Sequence, residues 1–275
     1  MSELTVSADG IVTGNTYDKY GSHNPVVRRM MAGFQRCLDE LVERAAPDSL
    51  LDVGCGEGLL VQRVAERLPA ARVVGVDLQE QSIQAGWSRH EAPNLSYRTM
   101  DGRTLPFADG EFDTVMSCLG VMFAPYHQAS ADELIRVCRP GGTIGLLNWT
   151  PEGFIGQMFA TMKPYAPPPP PGAQPPPLWG REEHVRTLLG DQVTDVKARR
   201  QTVRIDIFGR PEDFRDYFKA NYGPTIAVYR AIADDPERVA ALDAELADLA
   251  RRHDLGSGST VMEWEYLLLT ARKRS

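Results

Sequence analysis

The sequence has little of what marks a metal, membrane or nucleic-acid protein. Its four cysteines, Cys37, Cys55, Cys118 and Cys138, form no C-x-x-C pair and have no histidine partner at ligand spacing. That excludes a zinc site and a disulfide framework, and reduced thiols in the cytoplasm are the simpler reading. No acid pair or histidine cluster follows metal-ligand spacing either, so no metal is expected. No apolar run approaches the ~20 residues that a membrane span needs. Residues 1–15 are polar and small, unlike a signal peptide, and are expected to be mobile. The net charge is −7, and the basic clusters, Lys197 to Arg204 and Arg272 to Arg274, are short. An acidic chain without a basic stripe disfavours nucleic acid as a partner. Internal repeats are absent.

What is present is a core. The 275 residues are 43% apolar, enough for one large or two modest domains. Leu50, Leu51 and Val53 read as the end of a buried parallel strand, and Gly54, Gly56 and Gly58 follow at alternate positions. A helix begins at once, with Leu60, Val64 and Leu68 on one side and Gln62, Arg63, Glu66 and Arg67 on the other. A strand that turns on glycines into a helix brings bare backbone and free N–H groups to a ligand. Arg72 to Leu78 is a second apolar strand carrying Asp77, nineteen residues after Gly58. In doubly wound folds an acid at about that distance takes ribose hydroxyls. The loop is G-x-G-x-G rather than the dinucleotide G-x-G-x-x-G, which argues against NAD.

The word LLDVGCGEG followed by VVGVDL resembles motif I and the following acid of the class I S-adenosylmethionine (SAM)-dependent methyltransferases. Further along, D-G-x-x-L-P-F from Asp101, F-D-x-V from Phe112 and LIRVCRPGGTIGLLNW from Leu134 are similar to the same family, in its small-molecule (UbiE-like, type 11) group. The resemblance covers residues 50–150 and implies an α/β fold: a doubly wound, seven-stranded, mostly parallel sheet with a helical cap. It implies SAM as cofactor, leaving S-adenosylhomocysteine. Asp52, Gly54, Cys55, Gly56, Asp77, Leu78, Asp101, Gly102 and Cys118 would line the cofactor site, with Asp77 on the ribose and Asp101 at the adenine amino group. Tyr17 and Tyr20 resemble the aromatic entry of an N-terminal lid, Tyr20 facing the cofactor and Tyr17 the substrate.

The rest is read from the residues. Pro25 opens a helix capped by Asn24 that runs to Ala46. Ser82 to Arg89 and Ala131 to Cys138 are further helices. Leu119, Met122 and Phe123 follow the fourth strand, where the crevice of an open α/β sheet lies. That stretch is apolar, with no Asn-Pro-Pro-Tyr and no acidic pair, and it suits a small apolar or aromatic acceptor. If the nucleophile needs a base, His127 and Tyr20 are the candidates, with Tyr17 and Tyr126 behind them. Pro164 to Pro177 holds nine of the twenty prolines in fourteen residues and reads as a rigid loop, in part a wall of the lid. Val193 to Phe208 contains a strand, Pro211 to Tyr222 and Pro236 to His253 are helical, and Met262 to Arg272 is a strand. Residues 209–260 would be an insertion over the active site, with Tyr222 at the substrate.

These readings give a single domain over 16–275, with a SAM-binding core at 47–150 and a cap from 16–46, 151–190 and 209–260. The expected enzyme moves a methyl group to an O, N or C nucleophile of a small metabolite of secondary metabolism, as a monomer or homodimer. Two alternatives stand beside it: a non-methyl-transfer reaction on the same fold, and a non-catalytic SAM-binding or interaction module.

Overall fold

The computed structural model describes residues 5–7, 12–13, 21, 23–89, 92–256 and 258–275. Two short strands, β1 (Thr5–Val6) and β2 (Val12–Thr13), pair antiparallel. Helix α1 (Pro25–Ala45) then begins where Asn24 Oδ1 accepts from the Val26 and Val27 amides.

The main sheet alternates with helices through β3 (Ser49–Val53), α2 (Leu59–Arg67), β4 (Arg72–Asp77), α3 (Glu80–Arg89), β5 (Leu95–Thr99), β6 (Phe112–Cys118), α4 (His127–Val137) and β7 (Cys138–Trp149). After α5 (Phe154–Met162), a proline-rich segment and α6 (Glu182–Leu189), the chain returns as β8 (Val193–Phe208). Helices α7 (Pro211–Asn221), α8 (Gly223–Ala231) and α9 (Pro236–Arg252) precede β9 (Thr260–Lys273). The sheet order is β5-β4-β3-β6-β7-β9-β8. The first five of these strands are parallel, and β9 runs antiparallel to both β7 and β8.

The two-residue period of a strand explains the two helical layers. Leu50, Val73, Tyr97 and Met116 bury into one cluster with Leu38 and Val42 of α1, Leu60 and Val64 of α2 and Ile83 of α3. Leu51, Val53, Val74, Val76 and Val115 bury into the other, with Leu134 and Ile135 of α4 and Val185 and Leu188 of α6. A strand buried on both faces reads as a continuous apolar run, which is how β3 and β4 read. Asp52 is the exception in β3, at 1% exposure.

Besides β1 and β2, three α-helices among the described residues had no counterpart in the sequence reading: α5, α6 and α8. Helix α8 restarts immediately after α7 because Tyr222 is extended and Pro224 stands in the first turn of the new helix. Helix α4 starts four residues earlier than expected. Its added turn buries His127 and Ser130, polar residues whose burial no hydropathy pattern signals.

Candidate active site

A cavity of about 870 Å³ opens at the carboxyl ends of β3, β4 and β6. Its floor begins with the glycine loop. Gly54 has φ +79°, and a Cβ there would stand 2.4 Å from Gly120 Cα, so the loops after β3 and β6 meet backbone to backbone. Gly56 has φ +56°, and a Cβ there would meet no protein atom within 4 Å. It lines the cavity, so this is the place where backbone is bared to a ligand. Gly58 packs instead against Tyr97 and is not among the cavity-lining residues.

Asp77 closes the loop. Its Oδ2 accepts from the Gly56 amide at 2.8 Å and its Oδ1 from the Gln79 amide at 2.8 Å. Burial raises its pKa, and these backbone N–H groups oppose the shift. Asp52 has no such help. Its Oδ1 has no hydrogen-bond partner, and burial, then the nearby Asp77 charge, push its pKa up to about 8. Two buried acids side by side make a strongly cation-seeking spot. On the far side Asp101 accepts from Arg103 Nε at 3.0 Å, Nη2 at 2.7 Å and the Arg103 amide at 2.9 Å. That fork holds its carboxyl below the usual range. Arg103 in turn sits 5.9 Å over the Tyr126 ring. Cys55, Leu78, Gly102 and Cys118 also line the cavity.

The other half of the cavity is apolar. The chain leaves β6 at Leu119, a non-glycine residue at φ +60° whose amide donates to Leu147 O at 2.8 Å. Such backbone costs about 1–2 kcal/mol. It is held because Ser117 Oγ accepts from the Val121 amide at 3.0 Å and donates to Val53 O. This turn delivers Met122 and Phe123 to the cavity. Opposite them stand Ile155, Phe159 and Met162 of α5, Phe218 of α7, then Tyr222 and Val228. Proline residues 167–170 and Gln174 form a further wall. The Gln174 amide is tied to Pro125 O at 2.9 Å, and Tyr165 OH donates to Glu245 Oε1 at 2.7 Å, so the strap is anchored to both the β6 exit and α9.

Not every candidate reaches the cavity. His127 is fully buried on α4, with Nδ1 2.9 Å from Nε2 of His184 and its ring 5.4 Å from that of Trp179. Burial and His184 push its pKa down to about 4, and it is not among the cavity-lining residues. The structure thus sets His127 against His184 and Trp179 and away from the residues that line the cavity. Tyr126 is likewise not among the lining residues. Tyr17 and Tyr20 lie outside the described residues.

Met30 and Met31 of α1, Trp149 and Trp264 line the cavity without having been singled out in the sequence. Trp149 was recoverable, since it ends β7 at the carboxyl edge of the sheet. Trp264 was harder. It lies near the start of β9, and only because β9 is antiparallel does that end reach the crevice.

A family model described as a methyltransferase domain matches residues 51–146. A Mycobacterium tuberculosis relative, named only as an uncharacterized protein, is 47% identical over 247 residues, covering 86% of this chain and 89% of its own. A demethylmenaquinone methyltransferase of Thermus thermophilus is 38% identical over 120 residues, covering 42% of this chain and 54% of its own. Among solved structures, a geranyl diphosphate C-methyltransferase from Streptomyces coelicolor, in complex with S-adenosylhomocysteine, superposes with a TM-score of 0.54 at 17% identity. The match covers 90% of this chain and 80% of that one, and it is a likeness of fold. With the sheet order, the glycine loop and these matches in hand, the chain belongs to the class I SAM-dependent methyltransferases, in the type 11 group.

Proposed function

We propose that the enzyme methylates a small, largely apolar or aromatic metabolite at an O, N or C nucleophile. The observation that carries this is one cavity with two unlike halves: Asp52, Asp77 and Asp101 along one, and Met122, Phe123, Ile155, Phe159 and Met162 along the other. The orphaned Asp52 Oδ1 and the open space over Gly56 fit SAM. In this reading Asp77 holds the ribose, Asp101 the adenine, and Asp52 with the Gly54–Gly56 backbone the methionine end. SAM supplies a methyl already activated by its sulfonium. The protein's own work is then alignment and exclusion of water. The β6 exit sets the acceptor's distance from the cofactor, and the cap and proline strap shut out solvent.

The same reading takes residues 16–275 as one domain, a SAM-binding core at 47–150 under a cap from 16–46, 151–190 and 209–260. It works in the cytoplasm, in secondary metabolism, as a monomer or homodimer and without nucleic acid. The reading takes turnover to need no metal, and EDTA treatment followed by Mg²⁺ add-back tests it; among the described residues no three His, Cys, Asp or Glu side chains gather as metal ligands. No described helix is long and apolar enough to cross a membrane.

Two measurements test the two halves. At the cofactor end, burial and the Asp77 charge hold the Asp52 pKa up at about 8 in the free protein, and a cationic ligand group favours its ionised form. Binding therefore releases a proton, and affinity rises with pH through the range below 8. Calorimetry with S-adenosylhomocysteine from pH 5.5 to 7.5 should show affinity climbing in the parent and flat in Asp52→Asn. Equal slopes would remove Asp52 from the site. At the acceptor end, Met122→Ala and Phe123→Ala should leave S-adenosylhomocysteine affinity within about threefold while changing the preference among acceptors by tenfold or more, on the ~1–3 kcal/mol that apolar pocket contacts contribute to discrimination. Unchanged acceptor kinetics in both variants would show that the acceptor binds elsewhere.

A further inference from the structure

Away from the residues that line the cavity, the chain buries a pair of histidines. His127, fully buried, opens α4, and His184, half-buried, lies in the first turn of α6. His127 Nδ1 and His184 Nε2 stand 2.9 Å apart, so one of them donates to the other. The second ring nitrogen of His127, Nε2, is buried with no hydrogen-bond partner among the described residues. The two rings meet edge to face at 5.2 Å and 72°. Trp179, fully buried in the 3₁₀ turn Pro176–Gly180, lies 5.4 Å from the His127 ring.

The pair sits at the root of the proline strap. Residues 167–170 and Gln174 wall the cavity, and the Gln174 amide donates to Pro125 O, two positions ahead of His127. From there the chain runs through Trp179 into α6. Val185, Leu188 and Leu189 are buried and hold the body of α6 to the core, and Gln128 Nε2 donates to Leu188 O at 3.0 Å. The histidine bond therefore fixes what is left: the first turn of α6 and the strap ahead of it. The charge that faces the pair is Arg181, itself paired with Glu152 at 3.0 Å. Of the other charged side chains on the two helices, Asp132 is bonded to Gln128, Glu133 to Arg136 and Glu182 to Arg186, and Glu183 is exposed. The turns Pro176–Gly180 and Val121–Phe123 carry none.

A neutral imidazole carries one N–H and a cationic one carries two. The bond between the rings holds one proton. The neutral pair has one more, for the two outer nitrogens, His127 Nε2 and His184 Nδ1. His184 Nδ1 takes it, because an N–H on His127 Nε2 would be buried without an acceptor. A third proton has no such choice: with the bond intact it must go to His127 Nε2. The intact pair therefore resists protonation. Burial, then His184, push the His127 pKa down to about 4, and burial, then Arg181, lower that of His184. Acid is accommodated when the bond breaks and the half-buried His184 carries its charge to water. We propose that the His127–His184 bond is an acid-sensitive latch on the proline strap, closed near neutral pH and released when His184 takes up a proton, which frees the strap wall of the cavity. Both rings are held below the ordinary histidine value of 6.5, so the latch's stabilisation is present above that pH and is lost as pH falls toward about 4.

The test is hydrogen exchange on the full chain, read by mass spectrometry over residues 171–184 and corrected for the intrinsic pH dependence of exchange. One proton taken up on opening, by a group of ordinary pKa ~6.5, raises the open fraction roughly twentyfold between pH 7 and pH 5. Protection of this segment in the parent should fall by about that factor, while β3 and β4 hold theirs within about threefold. His184→Gln keeps an acceptor for the His127 Nδ1–H and cannot titrate, so its segment should keep its protection within about threefold over the same range. Unchanged protection in the parent, or an equal fall in His184→Gln, overturns the latch. So does an equal fall in β3 and β4, which marks general loosening. A second readout needs no variant. In parent protein labelled with ¹⁵N at its five histidines, the His127 proton should sit on Nδ1 at pH 7 and Nε2 should be bare. A proton on His127 Nε2 at pH 7 would show that the pair tolerates what the latch forbids.

Discussion

Asp77→Ala should bind S-adenosylhomocysteine about tenfold to a hundredfold more weakly than the parent. The side chain holds the glycine loop as well as facing the cavity: Gly56 N–H and Gln79 N–H each donate to it at 2.8 Å. Hydrogen bonds to a charged group contribute ~1.5–3 kcal/mol each, and a ribose contact adds to them. The two amide bonds are already made in the ligand-free protein, so the affinity loss is that of the ribose contact, ~1.5–3 kcal/mol or roughly ten- to a hundredfold, with any loosening of the loop added to it. The ligand-free fold should respond far less. Removing Asp77 also relieves Asp52, whose pKa the Asp77 charge helps to raise, so two lost hydrogen bonds are set against one fewer buried charge. Calorimetry and thermal unfolding on the same preparation check both halves. Affinity within threefold of the parent would sink the assignment of this loop to the cofactor.

The second large effect is a contrast between neighbours. Gly54→Ala should lose both stability and cofactor binding, whereas Gly56→Ala should lose binding with little loss of stability. At Gly54 the added Cβ stands 2.4 Å from Gly120 Cα, and the obstacle is backbone that cannot swing aside. With the left-handed backbone, overpacking of this kind costs about 2–4 kcal/mol, some 5–15 °C in Tm for a chain of this size. At Gly56 nothing lies within 4 Å, so only the left-handed backbone counts, at about 1–2 kcal/mol. The methyl group would nevertheless project where a ligand must come close, and affinity should fall more than tenfold. If Gly56→Ala binds S-adenosylhomocysteine as the parent does, the loop does not face the ligand.

How far the sequence led follows from what holds each part together. The β3–α2–β4 unit was legible because its chemistry is local: apolar strands, glycines at fixed spacing and an acid at the strand end all lie within 28 positions of one another, from Leu50 to Asp77. The apolar stretch at Leu119, Met122 and Phe123 was legible for the same reason, since a strand end must face the crevice. What was not legible depends on distant partners. The surroundings of His127 depend on His184, 57 residues on, which meets its Nδ1, and on Trp179, which packs against its ring. Asp101 gives no sign that Arg103 already clamps it, because Asp-Gly-Arg reads as a plain turn. The cap helices α5, α6 and α8 were missed because their stripes are short and their burial depends on partners distant in sequence: Phe154 of α5 packs against Phe214 of α7, and Phe159 against Tyr222. Trp264 reaches the cavity only through the reversed direction of β9.

The contact between Gly54 and Gly120 also limits how such an enzyme can diverge. Two loops that touch through bare backbone leave no side chain to exchange, so a change at either position has no simple compensating change at the other. The cofactor loop and the floor of the acceptor site are in that sense inherited together. The cap is different. It reaches the cavity through side chains of α5, α7, α8 and the proline strap, where one residue can be traded for another without moving a strand. Descendants that take new acceptors should therefore differ first in residues such as Ile155, Phe159, Met162, Tyr222 and Val228, and directed evolution aimed at a new acceptor would do well to start its libraries there.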